Sequence, residues 1–201
     1  GSNDATYSRN TGNPNIPEFF RIEANKDPNR VFSFNSSFTL NGPTNSSPKA
    51  LEIISGKIIL NDPNIDIPLT SGNQNFSIPQ KTELSVRNGA TARISGDNTG
   101  LRLDGKISAS ENGKLLFDGG TNNFIEYTAS GWSEIELNES ILRVSGQIRR
   151  STTTEEGILT FYQNHPNAFV EIGTKAIPNN FRGVFEIRNA GSAFTQVSGA
   201  T

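Results

Sequence analysis

Trp132, Glu134 and Glu136 occupy alternate positions in the run Phe124-Ile125-Glu126-Tyr127-Thr128-Ala129-Ser130-Gly131-Trp132-Ser133-Glu134-Ile135-Glu136. In a strand, successive side chains point to opposite faces, so these three share one face while Ser133, Ile135 and Leu137 share the other. An indole plane beside two carboxylates has the composition of a sugar-binding platform. The apolar CH faces of a pyranose stack on the ring, and its hydroxyls donate to the acids. Tyr127 lies in the same run, so the candidate ligand-binding set is Trp132, Glu134, Glu136 and Tyr127. The plainer alternative is that Trp132 packs at a corner while the glutamates face solvent. A carboxylate pair is also what glycoside hydrolysis needs. Two glutamates spaced this way on an exposed strand are common, however, and no Asp cluster or Lys/Arg base stands out beside them. The expectation is a binding surface with no catalytic residue.

Other residue groups capable of chemistry are weaker. Asp62, Asn64 and Asp66 begin like the oxygen-rich loop that holds calcium, but Ile67 stands where the sharp-turn glycine belongs and Asn73 where the bidentate glutamate would be. His165 is the only histidine, which removes a histidine-based metal cluster. No Gly-x-Ser-x-Gly elbow accompanies it, and His165-Pro166-Asn167 reads as a turn. Arg149-Arg150, with Arg143 nearby, is the densest positive charge. Glu139, Glu155 and Glu156 offset it, so it is expected to be a solvated edge. Asn35, Asn45, Asn75 and Asn138 begin Asn-x-Ser sequences, which matter only in a host that glycosylates.

Composition narrows the function classes further. The 201 residues carry 18 Lys and Arg against 20 Asp and Glu, a net charge of -2, which gives no footprint for nucleic acid. With no cysteine, a disulfide framework and a thiolate metal site are both excluded. No apolar run is long enough to span a bilayer. No metal and no cofactor are expected.

The elements that must position these residues announce themselves by repetition. Ile54-Ser55-Gly56-Lys57-Ile58 returns as Leu103-Asp104-Gly105-Lys106-Ile107 and as Val144-Ser145-Gly146-Gln147-Ile148. Each copy reads apolar, Ser or Asp, Gly, long polar, Ile. A small residue and a glycine between apolar positions suit a bend between short strands, where glycine takes positive φ at little cost. A second motif aligns Asn88-Gly89 with Asn112-Gly113, each leading to an apolar, Ser or Asp, Gly ending; residues 187–199 form a looser third copy around Asn189.

The offsets supply a period. Asn88 to Asn112 is 24 residues, Gly56 to Gly105 is 49 and Gly105 to Gly146 is 41. The last two are near twice a unit of roughly 20 to 25 residues, the range of solenoid coils. Short β-branched and aromatic clusters separated by Gly, Pro and Asn predict strands throughout, and no segment shows a helical stripe. The final strands are predicted at 158–162, 168–172, 181–187 and 194–197, with a turn at 177–180. An antiparallel β-sandwich is the alternative, because Asn-Gly also favours tight hairpins.

Three regions are expected. Residues 1–17 comprise Gly1-Ser2, which looks like a tag remnant, and an extended lead-in. Residues 18–48 hold Phe-rich strands suited to capping an open end, and 49–201 form the repeat region. The chain lacks Met and ends in mid-pattern, as a piece of a longer protein would.

The run Asn112-Gly113-Lys114-Leu115-Leu116-Phe117-Asp118-Gly119, followed by Phe124-Ile125-Glu126-Tyr127, Val144-Ser145-Gly146-Gln147-Ile148-Arg149-Arg150 and Phe161-Tyr162-Gln163-Asn164, resembles the repeat stretches of large secreted bacterial β-helix proteins. Such proteins occur at the surface of Bacteroidetes and, more loosely, as autotransporter passenger regions. The likeness spans about residues 50 to 199 and lies in pattern, without a diagnostic motif. It implies a right-handed parallel β-helix, export, and a structural or adhesive role at the cell surface with a glycan or host-surface ligand as partner. The rival function is a β-helix carbohydrate-active enzyme, either a polysaccharide lyase or a glycoside hydrolase.

Overall fold

The computed structural model describes residues 3–9, 15–47, 49–128, 131–151, 157–175, 183–187 and 191–201. Among them there is no helix; 21 strands wind into three-stranded turns. The first turn is β1 (Ala5–Tyr7), β2 (Glu18–Phe19) and β3 (Ile22–Asn25). The second is β4 (Val31–Phe34), β5 (Thr39–Leu40) and β6 (Leu51–Ser55). Next come β7 (Lys57–Leu60), β8 (Asp66–Thr70) and β9 (Phe76–Ile78), then β10 (Glu83–Val86), β11 (Thr91–Ile94) and β12 (Gly100–Leu103). The fifth turn is β13 (Lys106–Ala109), β14 (Lys114–Phe117) and β15 (Phe124–Tyr127), and the sixth β16 (Trp132–Leu137), β17 (Ile141–Val144) and β18 (Ile148–Arg150). Beyond them lie β19 (Ile158–Gln163), β20 (Phe169–Ile172) and β21 (Ala193–Gln196).

Every strand pairs in parallel with its counterpart one turn away, which makes the chain a parallel β-solenoid and removes the sandwich alternative. The first face is a single sheet of eight strands, β1-β4-β7-β10-β13-β16-β19-β21. The second runs β8-β11-β14-β17-β20 and the third β9-β12-β15-β18, with β2-β5 and β3-β6 pairing separately in the opening turns. The Phe-rich strand β4 is in register with β7, Phe32 beside Ile58 and Phe34 beside Leu60, so the first face continues through it without a break.

Alternation within each short strand sends one row of side chains inward, and stacking turns each inward position into a ladder. On the first face Phe32, Ile58, Leu84, Ile107, Ile135, Phe161 and Phe194 stand one above another. Ile58, Leu84, Ile107 and Ile135 are fully buried. Burying such a side chain is worth about 1.5–3 kcal/mol, and the backbone groups are bonded to the coils on either side. Rings crowd both ends: Tyr7, Phe19, Phe34 and Phe38 pack together at one, Phe161, Phe185 and Phe194 at the other.

The coils are uneven. Leu84 to Ile107 is a step of 23 residues, Ile107 to Ile135 of 28 and Phe161 to Phe194 of 33. The expected length is met in the tightest coil.

The recurring turns are coil corners, with two corrections. Gly56 is left-handed at φ 83, but neither Gly105 nor Gly146 is. Those two are glycine because the neighbouring coil leaves no room: a Cβ on Gly105 would lie 2.3 Å from the Pro79 carbonyl oxygen, and one on Gly146 2.6 Å from that of Asn123. The first two copies lie at one corner, between the third and first faces, and the third copy lies between the second and third.

The Asn-Gly pairs mark one corner but are displaced by a residue. Asn88 and Gly89 take φ of 50° and 75°, whereas in the next coil it is Glu111 and Asn112, at 52° and 62°. Glu83 pairs with Lys106, a step of 23, so Asn88 stands level with Glu111. Each turn closes with one bond, Ala90 N–H to Arg87 O at 3.0 Å and Gly113 N–H to Ser110 O at 2.8 Å. Glu155, Glu156, the turn at 177–180, the beginning of the strand expected at 181–187, and Asn189 lie outside the described residues.

Candidate functional site

β16 supplies the outward row that the sequence predicts. Ser133, Ile135 and Leu137 are buried, while Trp132, Glu134 and Glu136 point away from the core. Trp132 opens the strand just after the close approach of Gly131 to Asp104, and the residue is 65% exposed. Ser133 anchors the start of the strand by donating its hydroxyl to the Leu103 carbonyl. Tyr127 is not brought to this surface. It is fully buried inside the solenoid, where its hydroxyl donates to the Glu186 carbonyl oxygen at 2.6 Å.

Stacking adds residues from other coils. Lys57, Glu83, Lys106 and Glu134 are register partners on successive strands of the first face, an alternation of charge along the solenoid axis. Neighbouring strands are about 4.8 Å apart, so opposite charges stand side by side, and the first and last of the three steps close as ion pairs. Lys57 Nζ lies 3.1 Å from Glu83 Oε2, and Lys106 Nζ lies 2.7 Å from Glu134 Oε1 while also bonding Glu136. Ser108 Oγ sits 2.9 Å from Ser85 Oγ and 3.1 Å from Glu83 Oε1, and Arg87 Nε donates to Ser85 Oγ at 2.9 Å.

Lys57, Glu83, Lys106 and Glu134 form the floor of a groove of about 630 Å³. Pro28 and Asn29 wall one end, Gln80, Lys81 and Thr82 wall the middle, and Trp132 closes the far end. A second hollow of about 320 Å³ shares Lys57, Glu83 and Lys106 and continues toward Arg87, Glu136 and Asn138. The two make one trough across the first face.

Electrostatics fix the ionisation of the trough. Glu136 is held below the ordinary carboxylate range by its hydrogen bond from Lys106, against the opposing effect of partial burial. Partial burial pulls the Lys106 ammonium down, but its two glutamate partners outweigh this and raise it. The arrangement therefore provides a charged, hydrogen-bonding floor beside an exposed aromatic plane.

The remaining candidates are otherwise engaged. Asp62 Oδ1 accepts from the Asn64 N–H at 2.9 Å, and Asp66 pairs with Arg93 through two bonds of 2.7 Å. Among the described residues no group of acids or histidine is arranged to hold a metal. The His165 imidazole Nδ1 accepts from the Asn167 N–H at 3.1 Å within its turn. Arg149 and Arg150 are not a solvated edge. Arg149 lies 4.2 Å over the Phe124 ring and pairs with Glu126, whereas Arg150 is buried with Glu186, 2.9 Å away.

Lys57, Lys81, Glu83 and Lys106 were not singled out as site residues in the sequence. Their only signal was the place of Lys57 and Lys106 in the repeated bend motif, where both follow the glycine. Fold and site together define a β-solenoid with a polar, aromatic-ended trough on one face. Comparison with protein-family models, with curated proteins and with solved structures finds no match for this chain.

Proposed function

We propose that this chain is a non-catalytic segment of an exported bacterial surface protein, and that it binds glycans in the trough on the first face. The observation that carries the reading is the Trp132 indole, exposed beside a row of ion-paired Lys and Glu side chains. An exposed tryptophan on a stiff sheet loses little entropy on binding and offers a flat apolar face to a sugar ring. The paired charges beside it supply donors and acceptors for hydroxyls. The surface and export components rest on the resemblance of the repeat stretches to secreted β-helix proteins.

Of the two enzyme alternatives, a glycoside hydrolase needs two carboxylates in unlike states, one protonated and one ionised. Lysines pair with Glu83, Glu134 and Glu136, which supports binding over cleavage. The test is a glycan array followed by calorimetry on the hits. Binding that falls about tenfold or more in Trp132→Ala is expected, and an array without hits overturns the reading. Polysaccharide cleavage by the purified chain, lost in Glu134→Gln, would replace it with the enzyme.

A further inference from the structure

Two features of the trough stand apart from its ion-paired floor. Over both hollows its cations are Lys57, Lys81, Arg87 and Lys106 and its acids Glu83, Glu134 and Glu136, an excess of one positive charge on a chain whose net charge is -2. Lys57 and Lys106 are matched to glutamates, whereas Lys81 makes no ion pair or hydrogen bond among the described residues.

The second feature is the backbone of Lys81. It sits in the turn Pro79-Gln80-Lys81-Thr82, which Thr82 closes with its N–H and its hydroxyl on the Pro79 carbonyl oxygen, at 3.2 and 2.7 Å. Its φ is 63°, a left-handed conformation that glycine or asparagine adopts more readily. Of the other left-handed positions outside glycine, Asn73, Asn88, Asn98, Asn112 and Asn122 follow that preference and Glu111 does not. A long cation held in a strained turn at the wall of a groove, and left without a counter-charge, is arranged for an anion that arrives from outside.

We infer that the trough selects an anionic sugar, its ring stacked on Trp132 and its carboxylate or sulfate paired with the Lys81 ammonium. This deepens the glycan-binding proposal and rests on it. Lys81 is exposed, and a charge-assisted hydrogen bond from its ammonium discriminates against the neutral sugar as a point charge, without the planar fork that would favour one anion's geometry.

Trp132 is the only tryptophan, so its fluorescence reports on this end of the trough alone. The probes are an alginate tetrasaccharide with its carboxyl-reduced form and a carrageenan tetrasaccharide with its desulfated form, titrated at low salt with calorimetry in parallel. In at least one pair the anionic member is expected to bind about tenfold tighter, and the gap should shrink as salt is added. Lys81→Gln should bring the anionic member down to the neutral one. Lys81→Gly, which also removes the backbone strain, should do the same and guards against misfolding of the first variant. A gap in one pair only identifies the anion.

Equal binding of both members in the wild type, or a gap that survives in both variants, overturns the inference while glycan binding stands. Absence of binding by every probe in both measurements and across the array overturns glycan binding and this inference together.

Discussion

At the scale of single residues, the glycines separate two causes that a sequence shows as one letter. Gly56 sits at φ 83 and Gly105 does not, although the same five-residue pattern surrounds both. The cost of a side chain at Gly105 is therefore steric. Its Cβ would lie 2.3 Å from the Pro79 oxygen and 2.4 Å from the Thr82 oxygen, backbone atoms that cannot swing aside. Gly105→Ala is expected to destabilise the chain by about 1–3 kcal/mol, read as a lower midpoint in urea with an unchanged slope. An unchanged midpoint would show that the two coils can separate at this corner. The same corner forms a wall of the trough, so the variant should also weaken any ligand that seats there. Tyr127 teaches the converse. Its neighbour Glu126 faces outward, so strand alternation turns Tyr127 into the core, and it belongs to β15 on the third face while Trp132 belongs to β16 on the first. Closeness in sequence placed it in the candidate site; the pleat removed it.

At the scale of elements, the first face is held by packing within and by alternating charge outside. Glu136 illustrates how the outer row responds to pH. Lys106 keeps its folded-state pKa below the ordinary carboxylate value, so the folded chain resists protonation more than the unfolded chain does. That contribution is present in full above the ordinary value and is lost as the pH falls through it toward the folded pKa. The melting temperature of the wild type should accordingly drop between neutral and acidic pH by about 1–3 °C more than that of Glu136→Gln, a difference that added salt should reduce. Parallel curves for the two proteins would show that the pair is too solvated to matter. The strand pattern is readable in the sequence: β19 (Ile158–Gln163) and β20 (Phe169–Ile172) match the strands expected at 158–162 and 168–172 to within a residue at each end. Trp132, Glu134 and Glu136 were legible on one strand for the same reason. Lys57, Lys81 and Glu83 were not, because they reach the trough from other coils and the step between coils varies from 23 to 28 residues over this part of the face. A fixed period would have aligned them; an uneven one hides the partners while leaving the strands visible.

At the scale of the whole molecule, each coil touches chiefly the coil before and the coil after, so stability is close to a sum of coil and neighbour terms. A coil should then be removable. Deleting residues 83–105 joins Thr82 to Lys106, and Lys106 is the register partner of Glu83, so the shortened chain re-enters the first face at the same level. Inside, the ladder closes with Ile58 against Ile107 and Leu60 against Ala109, apolar on apolar. Outside, Lys57 would lie beside Lys106, a like-charge contact, although Glu134 and Glu136 still bond Lys106 from the other side. The shortened chain is expected to keep a β-type circular dichroism spectrum and a cooperative melt at a lower temperature. Lys57→Glu in the same background should recover part of that loss by restoring the alternation of sign. The deletion also removes Glu83 and Gly105 and brings Trp132 one coil nearer to Lys81, so the trough should shorten and its glycan affinity should fall. A shortened chain that fails to melt cooperatively even with Lys57→Glu would mean that the coils do not stack independently. The three-sided ladder would then have to form as one unit, held by its aromatic ends, where Tyr7 and Phe38 close one terminus and Phe161 and Phe194 the other.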